Sequence, residues 1–513
     1  MDRFYAPDFR VNVEGLTLQA DVTNAVTELS YDGSTETADM FTIRLNNADH
    51  RFTDSALFDV GKKVEIHMGY AGDLRPMMLG EITAVSPSFP QSGASAMTVT
   101  GYDRSHKLRH NTPERFTFKY MNDSTIAAMI AAENLLIPVV DPAPTSTRES
   151  VQQVGSDWAF LSELADRNYF ELRVWWDTLY FRLPRPQTQM VALQWGKNLS
   201  SFSPRISTSG QAGLQVVRGY DYKLAQSIVA ILPMVAAGGN FDDLIERLGS
   251  GVLEQLTSLG RHVVRDKPVE NMFDAATVAK SILMQLLEGL SEGSGTCIGI
   301  PELRAGDTVE IAGVGERFSG RYRLTKVTHT IGQGGYTTSF EVSQRHTGTL
   351  LRALRTHISE TPSPTRQDTV PSPVIGKVEN NVDPEGLGRV QLSFPHLSDV
   401  NLSNWARVAT PMAGAREGMY FLPDKGDEVL VMFERGDVNR PIVVGSLWNG
   451  LARPPLTNTG LNLQKVIKIG EQMQIVMDGT PGAEKVQIKA NELNFVEVSS
   501  TGVKIKGILV ELN

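Results

Sequence analysis

With a single cysteine, Cys297, the chain cannot form an intrachain disulfide, and it suits assembly in a reducing cytoplasm. An excess of basic residues is also missing. The 49 Lys and Arg stand against 58 Asp and Glu, a formal net charge of -9, which argues against nucleic acid as a main partner. The longest apolar run, SIVAILPMVAAGG at 227–239, is too short and interrupted to span a bilayer. The start, MDRFYAPDFRVNVEG, lacks a cationic stretch leading into an apolar one and lacks a small-residue cleavage pattern. If the protein leaves its cell, a non-Sec route is therefore expected.

Signatures of chemistry are equally scarce. His106 and His110 are four apart, but DRSHKLRHNTPERF lacks the HExxH order and its basic neighbours disfavour a metal cation. There is no supported Gly-x-Ser-x-Gly elbow and no GxxxxGK[ST] phosphate loop; GVGERFSG at 313–320 reads as a hairpin. Glycoside hydrolysis needs two carboxylates flanking the bond. The pairs Asp242/Asp243, Glu288/Glu292 and Asp424/Asp427 read instead as cap, helix-surface and turn residues. No catalytic residue, cofactor or metal is expected.

What the chain does have is β alternation, over 513 residues that allow several cores. From Val374 to Asn449, period-2 apolar runs alternate with Pro, Gly, Asp and Asn clusters. About five short strands in this space suit a small closed barrel, which removes exposed edges. Such barrels bind oligonucleotides or sugars, or serve as structural collars. Here Asp383, Glu385, Asp424, Asp427, Glu428, Glu434 and Asp437 offset Arg389, Arg407, Arg416, Lys425, Arg435 and Arg440, which favours the collar. Trp405, Phe421, Phe433 and Trp448 read as core packing.

Residues 1–106 read as a first barrel-like β module, and its outline returns at 295–350, with earlier segments able to join the second copy. Gly61–Ile66 matches Gly306–Ile311, Gly80–Val85 has a counterpart in Gly320–Val327, and Ala96–Thr100 echoes Thr337–Ser343. The loose spacing leaves duplication and unrelated meanders both open. Between them, 107–224 reads as α+β. Helices are predicted over 122–133, with Ile126, Met129 and Ile130 on one face, and over 156–167, with Phe160, Leu161 and Leu164 inward. A hairpin turning at Trp176-Asp177 follows. Residues 225–294 read as a helical connection or insertion, either packed or a plug at the mouth of the module. Residues 351–373 form a Pro-rich linker.

Residues 451–513 repeat short strand-like fragments: KVIKI, MQIVMD, KVQIKA, LNFVEVS, VKIKG and ILVEL. Val486, Ile488, Leu493, Phe495, Val503 and Ile505 are predicted core positions, with lysines and glutamates between them. Six such strands cannot easily enclose a core in one chain. Three intertwined copies can, as a triangular prism about 30 Å long. The last apolar positions, Ile508, Val510 and Leu512, would then end the prism as an exposed threefold platform.

The runs GKVENNVDPEGLGRVQLSFP, SNWARVATPMAG and FLPDKGDEVLVMFERGDVNRPIVVGSLWNG, with the β-repeat behind them, resemble the spike proteins of contractile injection machines. These are the VgrG proteins of type VI secretion, the hub and spike of contractile phage tails, and the spikes of extracellular phage-tail-like particles. VVRGYDY at 216–222 and the helix and hairpin before it look like the middle domains of such hubs. The resemblance implies a mainly β, multidomain fold: a hub with two barrel-like modules and helical insertions, an OB-fold neck at 374–450, and an intertwined triple-stranded β-helix at 451–513 in a homotrimer. It implies a structural protein that transmits contraction force during membrane puncture of a target envelope. Its partners would be hexameric tube-initiator and baseplate proteins at the hub and a PAAR-like tip protein at Ile508, Val510 and Leu512. Assembly would be cytoplasmic, in a bacterium, within a phage-tail-like particle open to extracellular release. The short needle, with no effector extension after Asn513, favours a particle spike over a type VI VgrG. The rival readings are a peptidoglycan-degrading tail enzyme and a glycan-binding adhesin using Trp405.

Overall fold

The structure, a computed structural model, describes residues 6–110, 117–153, 155–185, 190–208, 211–221, 224, 226–234, 250–264, 269, 271–342, 373–394, 398–458 and 460–509. It divides into two compact units. The first comprises Met1–Ser372 with the short segments His396–Asn404 and Phe433–Pro441; the second comprises Pro373–Pro395, Trp405–Met432 and Ile442–Asn513. The Pro-rich stretch 351–373 lies almost wholly outside the described residues.

A 13-stranded sheet organises the first unit. Twelve of its strands form two sets of six. The first set is β1 (Pro7–Val13), β2 (Val26–Ser34), β3 (Met40–Asn46), β4 (Lys63–Tyr70), β5 (Asp73–Ser88) and β6 (Ala96–Asp103). The second is β7 (Val191–Gln194), β8 (Leu199–Ile206), β9 (Ser291–Ile298), β10 (Thr308–Ala312), β11 (Gly320–Gly332) and β12 (Gly335–Val342). The first set is ordered β2-β3-β6-β5-β4-β1 and the second β8-β9-β12-β11-β10-β7, so each strand has a counterpart six places on. The irregularities match as well. The β5 ladder shifts register between Ile82 and Ala84 and the β11 ladder between Leu324 and Lys326; the β2 ladder shifts between Val26 and Glu28 and the β8 ladder between Leu199 and Ser201. Bulges are specific local devices, and two coinciding pairs favour duplication over unrelated meanders.

Hydrogen bonds agree residue by residue. Gly61 N donates to Ile82 O (2.8 Å) and Ile82 N to Lys62 O (2.9 Å); Gly306 N donates to Leu324 O (2.7 Å) and Leu324 N to Asp307 O (2.7 Å). Both glycines have φ of 91°, a conformation that strains any residue with a Cβ. The sequence match is thereby corrected in detail. Ile82 corresponds to Leu324 and Val85 to Val327, so Gly80 aligns with Tyr322 rather than Gly320. The first two strands of the second set come from 191–206, and β9 begins at Ser291. One difference remains: β1 runs antiparallel to β4, whereas β7 runs parallel to β10.

Alternate residues of each set fill a separate core. Leu29, Phe41, Ile43, Leu45, Val64 and Ile66 are fully buried in the first; Leu193, Val309, Ile311, Leu324, Val327 and Val342 are in the second. Each such side chain contributes about 1.5–3 kcal/mol. Cys297 lies in the second core, where burial pushes its thiol up to about 12.

The predicted helices are present. In α1 (Asp123–Glu133) the Asn122 side chain accepts from Thr125 N, and in α2 (Asp157–Asn168) the Ser156 side chain accepts from Ala159 N, caps worth about 1 kcal/mol each. Ile126, Ile130, Phe160, Leu161 and Leu164 pack with Leu172, Val174, Leu179 and Phe181 of the hairpin, which turns through Trp176 at φ 56°. Residues 225–294 are less helical than predicted. Gln226–Pro233 is a strand paired along its length with Leu214–Asp221, because Ile228, Val229 and Ile231 suit a pleated surface. α3 (Met272–Glu288) covers that pair through Ala275, Val278 and Ala279. Within 225–294, residues 235–249 lie outside the described residues, and Ser250–Ser258 is helical. Among the described residues, no helix is long and apolar enough to cross a membrane.

The second unit holds a barrel sheet and a meander. The barrel strands are β13 (Val374–Asn380), β14 (Gln391–Phe394), β15 (Arg407–Val408), β16 (Glu428–Phe433) and β17 (Pro441–Leu447), ordered β14-β13-β16-β17-β15. Val378, Val390, Leu392, Ala406, Val429, Val431 and Val443 are buried. Of the four aromatics expected in the core, only Phe433 is buried. Trp405 is half-buried, while Phe421 and Trp448 are 57% and 69% exposed in the single chain.

Candidate functional site

The C-terminal strands β18 (Gln464–Ile469), β19 (Met473–Asp478), β20 (Lys485–Asn491), β21 (Asn494–Ser499) and β22 (Gly502–Lys506) form one antiparallel five-stranded meander. Its register lines apolar residues into rows. Ile467, Ile475, Ile488, Val496 and Ile505 stand opposite one another across all five strands, and Met477, Val486, Val498 and Val503 form a second row. The other face carries Gln487, Glu497 and Lys504 in one row, with Gln487 Nε2 donating to Glu497 Oε2 (3.2 Å). Cross-strand pairs of this kind stabilise a sheet, yet among the described residues nothing covers the apolar face: its rows are 37–65% exposed.

Four of the six predicted core residues, Val486, Ile488, Val503 and Ile505, stand on these rows. Leu493 lies in the turn between β20 and β21 and is 56% exposed. Phe495 sits on the opposite face, opposite Lys489 and Lys506, with the Lys504 and Lys506 ammonium groups 5.5 and 5.9 Å from its ring centroid. Val496 and Val498 take the places expected of Leu493 and Phe495. The reason is one of parity: β21 begins at Asn494, and shifting a strand by one residue exchanges its faces. Ile508 is 86% exposed, and Val510 and Leu512 lie outside the described residues.

A loop held by ion pairs from Arg389 to Asp383 and Glu385 starts the barrel's DPEGLGR run. Arg389 is fully buried; its Nε donates to Asp383 Oδ2 (2.9 Å) and its Nη2 to Asp383 Oδ1 (2.8 Å). Asp383 also accepts from the backbone N–H groups of Glu385, Leu387 and Arg389. The Arg389 hydrogen bonds hold the Asp383 carboxyl well below the usual carboxylate range. The arrangement fixes the backbone conformation of this loop and engages both Asp383 oxygens.

Asp427 Oδ2 accepts from Asp424 N (3.0 Å) within a turn. Asp242 and Asp243 lie outside the described residues. The His106 and His110 rings are 6.0 Å apart, and among the described residues no group of three His, Cys, Asp or Glu is placed to hold a metal ion. Sequence reasoning missed a buried acidic knot in the hub. Asp39 accepts from Tyr31 Oη (2.7 Å), and Asp103 accepts from Ser105 Oγ (2.6 Å). Burial raises both carboxyls above the usual range. The cavity beside them is about 10 Å³, space for at most one water and none for a sugar. His329 is likewise a core residue: Nε2 donates to the Leu303 carbonyl (3.0 Å), Nδ1 lies 2.9 Å from the Tyr336 hydroxyl, and burial pushes its pKa down to about 3. Trp405, which an adhesin would need exposed, has the Arg389 guanidinium 5.7 Å from its ring centroid.

Comparison with known proteins bears on both units. Residues 14–333 match the family model of the Alg8 N-terminal domain, and residues 374–448 that of the type VI secretion system/phage-baseplate injector OB domain. The spike protein VgrG1a of Pseudomonas aeruginosa is 29% identical over 191 residues, 34% of this chain and 29% of the relative. VgrG3 of Vibrio cholerae is 32% identical over 116 residues, 20% of this chain and 11% of the relative. The matched part of the chain thus spans less than a third of the length of either relative. Among solved structures, the Francisella PdpA-VgrG complex in its half-lidded form matches with TM-score 0.58 and 7% identity, covering 99% of this chain and 89% of that one. The E. coli c3393 protein, described as a type VI secretion component similar to the T4 tail proteins gp27 and gp5, matches with TM-score 0.53 and 14% identity over 85% of this chain and 99% of that one. The fold is that of VgrG-like hub and spike proteins.

Proposed function

We propose, for a chain that belongs to the Alg8 N-terminal domain family through residues 14–333, that it is the structural central spike of a contractile injection system. Hub, OB neck and C-terminal meander follow one another as in VgrG-like spikes. The observation that carries the reading is the apolar face of the meander, uncovered along two rows in the single chain. Three copies bury those rows on a common axis as a β-prism and leave the lysine and glutamate rows in water. The hub, with two related modules per chain, then offers six similar units to a hexameric tube-initiating partner and to baseplate proteins. Contraction of a sheath supplies the free energy, and the cross-strand hydrogen bonds of neck and needle carry the load to the target envelope. Assembly takes place in the bacterial cytoplasm, and release of a phage-tail-like particle follows a non-Sec route.

The needle end adds a partner. Ile508 and Leu509 are 86% and 77% exposed, and a prism ending there presents apolar surface and unpaired backbone groups. A conical PAAR-like tip protein covers both by docking on Ile508, Val510 and Leu512. Light scattering of the full-length protein tests the spike reading: a trimer is expected, and a stable monomer under native conditions overturns it. Titration against a tip protein tests the second step. Leu512→Asp, or deletion of 508–513, is expected to weaken tip binding with the trimer intact; equal affinities exclude this docking surface.

A further inference from the structure

Inside one chain the two hub modules join edge to edge. Residues 326–332 of β11 pair antiparallel with 28–34 of β2, in the register Lys326↔Ser34, Thr328↔Asp32, His329↔Tyr31 and Gly332↔Glu28. The duplication assigns each of these edges a counterpart. Through the matched bulges, Lys326 to Thr330 of β11 correspond to Ala84 to Ser88 of β5, and Glu28 to Asp32 of β2 correspond to Ser201 to Arg205 of β8.

Neither counterpart edge has a partner strand among the described residues. β8 ends the sheet, and residues 84–88 of β5 pair only with β6. Exposure tells the same story. Ser86, Pro87 and Ser88 are exposed, whereas Thr328 and Thr330 are half-buried and His329 is fully buried; Ser201, Ser203 and Arg205 are exposed, whereas Glu28, Ser30 and Asp32 are half-buried. One module-to-module joint is made within the chain, and the two halves of an equivalent joint are left bare.

We propose that these bare edges are the two halves of an interface between copies of this chain. β5 of one copy pairs antiparallel with β8 of the next, in the register Val85 with Ile206 of the partner subunit, Ser86 with Arg205 of the partner subunit, and Ser88 with Ser203 of the partner subunit. The two edges differ, so the contact is head-to-tail and generates a closed ring, not a two-fold dimer. This rests on the trimeric reading above and specifies which strands close it.

The backbone phase supports the register. Residues of an antiparallel strand alternate in the side to which they direct N–H and C=O. Ser207 N donates to Leu290 O (3.0 Å), so Arg205 and Ser203 bond toward β9 while Ile206, Pro204 and Phe202 direct their backbone groups outward. Asp103 N donates to Asp39 O (2.9 Å), which turns the odd residues of β6 toward β3 and the even ones toward β5; Val85 and Pro87 therefore face outward. In the proposed register Pro87 stands opposite Pro204 of the partner subunit. Neither has an N–H, so that rung makes no ladder bond, where within the chain His329 and Tyr31 stand. An outward proline makes an edge refuse most partners. Coinciding prolines place both missing hydrogen bonds in one rung and leave the neighbouring rungs complete, whereas a slipped register leaves two rungs each half-bonded. The register thus follows from the duplication and the backbone phase, and the prolines make the joint between copies weaker than the joint within one.

Ser86 and Arg205 both bond away from the proposed contact, so they form a close, non-hydrogen-bonded pair of the kind a disulfide bridges. The full-length double variant Ser86→Cys/Arg205→Cys is expected to oxidise to a covalent trimer on a denaturing gel, while each single variant does not. The slipped pair Ser86→Cys/Ser203→Cys is expected to yield at least ~10-fold less, since Cα atoms more than 7 Å apart cannot be bridged without backbone movement. Native mass is measured alongside. A trimer that links equally in the slipped register, or in neither, overturns the β5–β8 interface and leaves the trimer standing; a monomer overturns the trimeric reading itself. Hydrogen exchange on the unaltered protein guards against misfolded variants. Val85 and Ile206 amides are expected to exchange at least ~10-fold more slowly in the trimer than in chains dissociated by dilution, and fast exchange of both within a trimer overturns the proposal.

Discussion

The first hub module and the C-terminal meander are both antiparallel β structures with apolar residues at every second position, yet only the hub module encloses its own core. In the hub, Leu29, Phe41, Ile43, Leu45 and Val64 are fully buried because the sheet curls over itself and gathers them into one cluster. In the meander, Ile475, Ile488, Val496 and Ile505 form an equally continuous row and stay 37–58% exposed. The difference teaches that alternation states which side chains share a face and says nothing of what meets that face. Under the trimeric reading, part of the stability of such a face lies outside the single chain and depends on protein concentration.

Removing the meander is the harshest way to break the comparison. A chain ending at Thr457 is expected to lose its trimer population in light scattering while the hub keeps a cooperative melting transition; trimers of unchanged stability would move the assembly surface to the hub alone. Paired substitutions sharpen it. Leu45→Ala, in the closed core, is expected to cost about 2–5 kcal/mol in denaturant unfolding of the hub at any protein concentration. Ile488→Asp, at the centre of the open row, is expected to leave that hub transition in place and to shift the trimer–monomer equilibrium at least ~10-fold toward monomer, since burying an unpaired charge is costly. A concentration-independent effect of Ile488→Asp would mean that the face is covered within one chain.

The neck offers a subtler contrast, because its stability rests on one buried pair. Asp383→Asn is expected to cost about 3 kcal/mol, as it removes the bidentate carboxylate from the buried Arg389 and leaves the half-exposed Glu385, 3.3 Å from its Nη2, as the remaining ion pair. The Asp383 carboxyl is held below its unfolded value. Its contribution is therefore fully present above the ordinary carboxylate pKa of about 4 and is lost as pH falls further, through the folded value. Parallel melting curves above pH 4 that converge below it are the expected result; a difference that persists unchanged into acid would rule the pair out as its source.

The smallest effect belongs to the hub's own core. His329 is pushed down to about 3, so it is neutral in the folded hub while the unfolded chain takes up a proton near pH 6.5. Stability from this residue is complete above about 6.5 and declines as pH falls toward 3, by about 2.7 kcal/mol at pH 4.5. His329→Gln is expected to flatten that slope in urea unfolding across pH 4.5–7, and an unchanged slope would assign it to other groups.

Much of this molecule follows from local chemistry. Asn122 and Ser156 cap their helices, the apolar faces of α1 and α2 turn inward, and the run from Val374 to Leu447 supplies the strands of a small barrel. These are short-range matters of spacing and capping, which a chain expresses wherever it is placed. The tertiary structure alone decided the rest. Parity at the start of β21 put Val496 and Val498, not Leu493 and Phe495, on the apolar face. Strands at 191–206 joined strands beyond 290 to complete the second module, and the pairing of β11 with β2 made one sheet of two modules while leaving β5 and β8 as edges. Tyr31, Asp39 and Asp103 became a buried knot only when distant strands met. The physical reason is common to all of these: a period of two fixes the face on which a side chain lies, whereas strand partners are chosen by long-range contacts whose geometry no single run of residues contains.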